Sequence, residues 1–263
     1  MSGLRGYVVS AVDVEERRGE DDTASVRTTI DASVGCERLE QHVIRFAPGR
    51  SRPRRPGERQ EVLGVVSGDG VVHVGGEAHP VGPLTGVYLT AGEEYEVETA
   101  GPEELVVVSV TAPQEGEAPL RRRTVRWSEQ TSLPASPNRE FRYLVNQDAG
   151  CLDVTQFVGV IPPGRAGMHS HTYDEVVYVL EGEGVLHLDG GGSTPIARGS
   201  CIHLPPLLEH SLENVGDTPL RVLGVFHPSG DPASRATEKV RAATNVRIDR
   251  QRDSGSSKGR GTS

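Results

Sequence analysis

Along the chain, Val, Ile, Leu, Thr and Tyr gather into short runs, and Gly and Pro punctuate them at close intervals. Residues 42–46, 61–66, 71–74, 86–89, 105–111, 153–161, 175–180, 184–188, 200–204 and 221–226 read as β-strands on this pattern. Many short strands separated by turn residues predict an all-β sandwich or barrel. No long stretch repeats its apolar positions at helical spacing. Residues 232–243 are the best helix candidate, and 37–42 read as a turn or the start of a strand.

The pattern occurs twice. Glu61-Val-Leu-Gly-Val-Val-Ser-Gly68-Asp-Gly-Val-Val-His73 parallels Glu175-Val-Val-Tyr-Val-Leu-Glu-Gly182-Glu-Gly-Val-Leu-His187. Each copy follows an apolar strand ending in Pro-Gly-Arg: Phe46-Ala-Pro-Gly-Arg50 and Ile161-Pro-Pro-Gly-Arg165. Agreement at this many points predicts two copies of one β-domain. On this reading residues 1–24 form an N-terminal arm that contributes an edge strand at 7–9 or stays loose. Residues 25–112 form the first barrel. Residues 113–140 form a linker, whose arginines at 121–123 are solvated. Residues 141–231 form the second barrel, and 232–263 a short helix followed by a disordered tail.

Composition narrows the class. The 263 residues carry a net charge of −9, which disfavours nucleic acid as a partner. Apolar runs such as 62–66 are far shorter than the ~20 residues of a membrane span. Residues 1–10 show no basic region followed by an apolar stretch, so no secretory leader is expected. Cys36, Cys151 and Cys201 are odd in number and widely spaced, which fits free thiols in a reducing cytoplasm. Aromatic residues make up only 4%, so the core is expected to rest on aliphatic side chains. All basic residues but Lys239 and Lys258 are arginine, which reads as codon bias.

The segment Gly164-Arg-Ala-Gly-Met-His169-Ser-His171-Thr-Tyr-Asp-Glu175 carries the chemistry. On a strand, residues i and i+2 share a face, so His169 and His171 point the same way about 7 Å apart. The next strand returns Glu175 over that face, and His210 follows one hairpin later. Three imidazoles and a carboxylate suit a first-row divalent cation. Each residue alone would be an ordinary polar side chain; the set at these intervals points to metal.

The run Gly164…His169-x-His171-x3-Glu175-x6-Gly182, then Gly199…Pro205…His210-x3-Asn214, resembles the two signature motifs of the cupin superfamily. Two such domains in one chain resemble a bicupin, over roughly residues 35–230. The resemblance implies all-β architecture, with two tandem cupin barrels of double-stranded β-helix (jelly-roll) type. It implies His169, His171, Glu175 and His210 as the ligands of one divalent transition metal per chain, iron or manganese first, with nickel, copper or zinc as alternatives. Two departures concern loop shape: the spacer from Gly164 to His169 is one residue short, and Leu207 stands where the family usually has Gly. In the first copy, alignment puts Arg55 at the place of His169, Gly57 at that of His171, Glu61 at that of Glu175, and Tyr95 or Glu96 at that of His210. No transition metal is expected there; the first barrel is a scaffold, or a pocket in which Arg55, with Arg54 or Arg52, binds an anion.

Three residues are candidate catalytic groups: Glu175, Tyr173 and Gln156. Tyr173 and Asp174 reach substrate, orient a histidine, or form an ordinary polar turn. Gln156 meets the cavity if it faces inward. Val177 and Val179 would make aliphatic cavity walls. His73, His187, His203 and His227 read as structural, and Cys201 as a small buried apolar residue. The site and the resemblance together predict a metal-dependent enzyme on a small oxygen-bearing organic substrate, as a dioxygenase-type oxidoreductase. A non-redox isomerase, cyclase or hydrolase (ureidoglycine aminohydrolase-like), and a non-catalytic small-molecule-binding module, are the alternatives. The expected partner is a small-molecule substrate, with no nucleic acid and no membrane, and analogy suggests a homodimer.

Overall fold

The computed structural model describes residues 6–99, 101–136 and 138–236. Burial along its strands follows from where each sits. Tyr95–Thr99 lies in a small outer sheet and alternates buried with half-buried positions, as a strand wetted on one face must. Leu105–Pro113 is central in a large sheet and is buried almost throughout, because both its faces are covered.

Each half of the chain is a seven-stranded sheet backed by a four-stranded sheet. In the first half the large sheet runs Thr124–Arg126, Thr85–Leu89, Arg59–Ser67, Leu105–Pro113, Glu40–Phe46, Ala24–Ile30, Arg17–Arg18. In the second half it runs Tyr7–Ser10, Ser200–Leu204, Asp174–Glu181, Leu220–His227, Thr155–Ile161, Arg139–Val145, Leu133–Ser136. The small sheets repeat the same order: Gly49–Arg50, Tyr95–Thr99, Gly70–Val74, Glu77–Val81, and Gly164–Arg165, His210–Asn214, Glu183–Leu188, Ser193–Ala197. All pairings are antiparallel, and the jelly-roll order expected from the repeat is present in both halves.

The outer edge of each large sheet is closed by a strand from outside that half. Tyr7–Ser10 pairs with Ser200–Leu204 of the second half. Thr124–Arg126, in the stretch expected as a linker, pairs with Thr85–Leu89 of the first. An exposed sheet edge invites unwanted pairing, and these strands cover both.

Among the described residues, three of the four apolar clusters form layers, and the fourth, around Phe157 and Phe226, lies beside the site. One cluster, with Ile44, Leu63 and Val97, fills the first half. Another, with Val177, Val179 and Ile202, fills the second. A third lies between the halves and joins Val62, Tyr88 and Val110 to Val158, Val176 and Val225. The two large sheets therefore pack face to face. Gly64 and Gly86, opposite each other in the first sheet, make room at that contact. A Cβ on Gly64 would lie 2.5 Å from Leu223, and one on Gly86 2.7 Å from Leu144.

The repeated Gly-x-Gly has a steric cause. A Cβ on Gly68 would come within 2.3 Å of the Glu104 carbonyl oxygen, and one on Gly184 within 2.2 Å of that of Glu213. The helix expected at 232–243 is absent from its described part, which runs as a turn and an extended segment through Ala236; the remainder, with the tail, lies outside the described residues. Among the described residues no helix is long and apolar enough to cross a membrane.

Candidate metal centre

The three histidines converge in the second half. His169 lies just before the strand Asp174–Glu181 and forms an isolated bridge with His210, with backbone bonds of 3.0 and 2.8 Å in the two directions. That bridge brings the Gly164–His171 segment across the start of His210–Asn214. One ring nitrogen from each of His169, His171 and His210 lies within 4.8 Å of the others. Glu175 joins this group through two members: its Oε2 is 4.0 Å from His171 Nε2 and 3.9 Å from His210 Nε2. Leu207 adopts a left-handed conformation (φ 67°) and its N–H donates to the His171 carbonyl at 2.7 Å. The loop therefore keeps a glycine-type turn with a leucine in it, anchored because that side chain is buried.

The protons on the rings are set by their other contacts. His169 Nδ1 faces the Gly167 carbonyl at 3.1 Å, and His210 Nδ1 faces that of Leu208 at 2.9 Å. A carbonyl only accepts, so these Nδ1 atoms carry the hydrogen and Nε2 is left as a lone pair. Tyr173 donates its hydroxyl hydrogen to the Asp231 carbonyl at 2.8 Å, so its oxygen accepts from His171 Nδ1 at 3.0 Å. Burial, then the neighbouring imidazoles, pushes His169 down to about 3 and His171 to about 2. Burial, with the charge of Arg235, holds His210 at about 4. All three rings are thus neutral at neutral pH. Burial pushes the Glu175 carboxyl up to about 8, against the pull of Arg235.

Glu175 Oε2 is buried and has no hydrogen-bond partner. A lone buried carboxylate oxygen is costly. Ligand bonds of about 2.0–2.2 Å allow two donors near 4 Å apart to share one ion. Three neutral imidazoles and one unpartnered carboxylate oxygen around a common gap fit a divalent cation, which would also restore the charge on Glu175.

The donors open on a cavity of about 80 Å³. Its apolar wall is part aromatic and part aliphatic: Phe141, Phe157 and Phe226, three of the four phenylalanines in the chain, line it together with Val160, Ile161 and Val222. Val177 and Val179 are not in that wall but pack in the interior behind it, and the aliphatic lining comes from other residues, Leu204 and Leu212 among them. Two arginines complete the lining. Arg139 starts a strand and donates to the Leu212 carbonyl at 2.8 Å. Arg235 comes from the extended segment after the last strand and donates to the carbonyls of Pro232 and Ser234. Neither makes an ion pair with Asp or Glu among the described residues. Burial holds both guanidinium groups below their ordinary value, and Arg139 is lowered further by Arg235.

Two of the three candidate catalytic residues lie elsewhere. Tyr173 is buried behind His171, its ring stacked on the imidazole at 4.9 Å, and its hydroxyl points toward Asp231 and Ser234. It orients a histidine and does not face the cavity. Gln156 is completely buried but on the opposite face of its strand. Its side-chain amide lies against Gly64 and Gly86 of the first half, and both polar atoms lack a partner. A polar residue on a strand covered on both faces need not face the cavity or solvent. The arginines were the features not singled out in the sequence, since nothing around Arg139 or Arg235 marks them among so many others.

The first half answers the same position differently. The bridge that matches His169–His210 is Arg54–Tyr95, so Arg54, not Arg55, stands at the place of His169, and Tyr95, not Glu96, at that of His210. Arg55 is exposed and pairs with Glu94 at 3.1 Å. Tyr95 donates its hydroxyl to Glu61 at 3.0 Å, and Ser109 also bonds this carboxylate. A phenol ring and a hydroxyl thus take the space around Glu61 that donors surround in the second half.

Apart from His227, the remaining histidines pair locally with carboxylates. His73 with Glu98 (2.9 Å) and His187 with Glu213 (2.7 Å) are repeat-related surface pairs. His203 is paired with Asp174 at 3.0 Å. All three cysteines are free and buried, and burial pushes the Cys201 thiol up to about 12.

Residues 157–226 match the family model of the cupin domain. An oxalate-binding protein of Thermotoga maritima is 42% identical over 68 residues, 25% of this chain and 55% of that protein. An uncharacterized protein of Methanocaldococcus jannaschii is 35% identical over 71 residues, 26% of this chain and 56% of that one. The chain thus spans little more than half the length of these curated relatives. Oxalate decarboxylase of Bacillus subtilis is similar in fold at TM-score 0.71 and 16% identity, over 90% of this chain and 79% of that one. Another structure of that enzyme, described for its Mn(II) centres, gives 0.69 over 88% and 78% at 16% identity. A putative glyoxylate-induced protein of Pseudomonas aeruginosa gives 0.73 at 18% identity, over 90% of this chain and 94% of that one. The second half of the chain therefore carries a cupin domain at residues 157–226, within a jelly-roll fold shared with cupin structures over most of its length.

Proposed function

We propose that this chain is a bicupin, with barrels at 25–112 and 141–231, whose second barrel is a metal-dependent active site for a small oxygen-bearing carboxylate. The observation that carries this reading is the unpartnered, buried Glu175 Oε2 facing His171 and His210 Nε2 at 3.9–4.0 Å. His169, His171, Glu175 and His210 would hold one divalent cation, iron or manganese before nickel, copper or zinc. Bound there, the ion supplies Lewis acidity and, if iron or manganese, redox capacity.

The rest of the site selects the substrate. Arg139 and Arg235 bring two positive charges without carboxylate partners to a small, mostly apolar space. Guanidinium groups match carboxylates in geometry and charge. The phenylalanine wall excludes water from the other side, which strengthens these contacts. A cavity of about 80 Å³ admits a small acid and no polymer. The similarity to an oxalate-binding protein supports the same substrate class.

The reaction class we propose is oxidative, of dioxygenase type. It is tested by oxygen uptake with the iron- or manganese-loaded chain against small 2-oxo acids, enols, diketones and dicarboxylates. Turnover that is lost in His171→Ala, with the fold retained, supports the reading; turnover that survives in that variant refutes it. Consumption of substrate without oxygen uptake would place the chemistry in the non-redox class. A second reading, a carboxylate-binding module without turnover, is favoured by one observation: among the described residues Glu140 is the only acidic group lining the cavity besides Glu175, and it is exposed and bonded to Ser132 at 2.7 Å. Binding without consumption of any acid in the panel would decide for it.

A further inference from the structure

We propose a second metal site, between the two halves of the chain, formed by Cys36, Asp174 and His203 beside His227. It is independent of the centre described above.

The donors come from both halves. Cys36 lies in the first half, on the turn between Ala32–Val34 and the strand Glu40–Phe46. Asp174, His203 and His227 lie on three neighbouring strands of the second half's large sheet. Asp174 is directly across from His227, and Val176, two residues on, is across from His203. Residues i and i+2 share a face, so all three side chains stand on the face turned toward the first half. Sγ of Cys36, a carboxylate oxygen of Asp174 and a ring nitrogen of His203 lie within 4.8 Å of one another.

Burial makes this more than a chance grouping. Cys36 and His203 are each 1% exposed and His227 is 2% exposed. His203 uses Nε2 on Asp174 at 3.0 Å, while its Nδ1 has no partner; His227 Nδ1 has none either. Buried polar groups are normally satisfied, and this layer leaves imidazole nitrogens beside the cluster without partners. Charge points to what the cluster would hold. A thiolate and a carboxylate together balance a divalent cation, so the assembled site carries no net charge. Mixed S, N and O donors, three from the protein with a fourth position left open, suit zinc. The ion would deprotonate the thiol on binding. It would cross-link the halves, which also meet through side-chain packing, the exchanged edge strands and hydrogen bonds such as Gln60 to Asp153 at 3.2 Å.

The test uses cobalt(II) as a spectroscopic stand-in for zinc, loaded into the full chain both as folded protein and during refolding. A thiolate ligand gives a charge-transfer band in the near ultraviolet, which a site of imidazoles and carboxylate lacks. The proposal expects that band in the wild type and in His169→Ala/His171→Ala, and its loss in Cys36→Ala together with one equivalent of cobalt. Cys36→Ser, closer in size, serves if the alanine variant does not fold. In the His169→Ala/His171→Ala background, a chelator should lower the unfolding temperature, and this effect should vanish when Cys36→Ala is added. Absence of the band after refolding with cobalt, its persistence in Cys36→Ala, or equal cobalt content with and without Cys36 would each overturn the proposal.

Discussion

Tyr173→Phe separates the orientation of a ligand from its presence. The hydroxyl holds three groups: His171 Nδ1 at 3.0 Å, the Asp231 carbonyl at 2.8 Å and Ser234 Oγ at 3.3 Å. Phenylalanine keeps the ring, and with it the stacking on His171 and the contact with Phe226 at 4.2 Å. Only the hydrogen bonds are lost. His171 is 6% exposed, so its Nδ1 hydrogen loses the phenol oxygen and keeps only the backbone contact at Ser234. An unsatisfied buried polar group costs about 1–3 kcal/mol. Because that hydrogen keeps Nε2 free for the metal, the loss falls on metal binding. Removing such a partner typically weakens affinity about 10- to 100-fold. Competition against a chromophoric chelator measures this. Thermal unfolding of the metal-free chain should shift by only the smaller share due to Asp231 and Ser234. Affinity within about twofold of wild type would refute the claim that Tyr173 sets the His171 tautomer.

Arg139→Leu and Arg235→Met should each weaken binding of a small carboxylate by about 10- to 100-fold, the range of a lost charge-assisted hydrogen bond. Metal content should not change; calorimetric titration with oxalate and elemental analysis check the two halves of that statement. Glu61 in the first half is held above the ordinary carboxylate range, chiefly by burial. A raised folded-state value means that its contribution is fully present below the unfolded pKa and is lost as pH rises through the folded one. Glu61→Gln, which still accepts from Tyr95 and Ser109, should therefore raise the unfolding temperature above the ordinary carboxylate range and have little effect below it. Equal shifts at acidic and neutral pH would contradict the buried-carboxylate reading. Gly64→Ala should destabilise the contact between the halves, since its Cβ would meet Leu223 at 2.5 Å; a strain cost of about 1–3 kcal/mol is expected in chemical denaturation.

Much of the fold was legible because the pattern that specifies it is repeated. Each predicted run overlaps a strand, since Val and Ile on a pleated, buried surface leave few alternatives. Ala24–Ile30 and Arg139–Val145 escaped because Ser, Thr, Arg and Glu dilute their apolar positions near the sheet edge. Another pair of matched signals also went unread. Asp31 and Asn146 cap equivalent short turns that end at left-handed Gly35 and Gly150. Polar turns carry little apolar pattern, so the repeat was not followed into them.

At the site, the histidines were legible because period-two spacing and one hairpin fix where they point. The register of the first half was not, since a single-residue offset moves Arg55 to the surface and brings Arg54 to the bridge. Gln156 failed for a related reason: its strand is buried on both faces, so polarity no longer marks which side is outward. The low aromatic content suggested a core without rings, yet most of the phenylalanine was kept for the cavity wall. Composition reports amounts, and only the folded chain reports where they are placed.

The central claim is that His169, His171, Glu175 and His210 hold a metal ion. Elemental analysis of the untagged chain, purified without added metal or chelator, tests it directly when wild type is compared with His169→Ala/His171→Ala. The account predicts that the variant, still folded, holds one equivalent less of a first-row metal than the wild type. Equal metal content in the two, or no metal in the wild type even after incubation with iron, manganese and zinc, would contradict it.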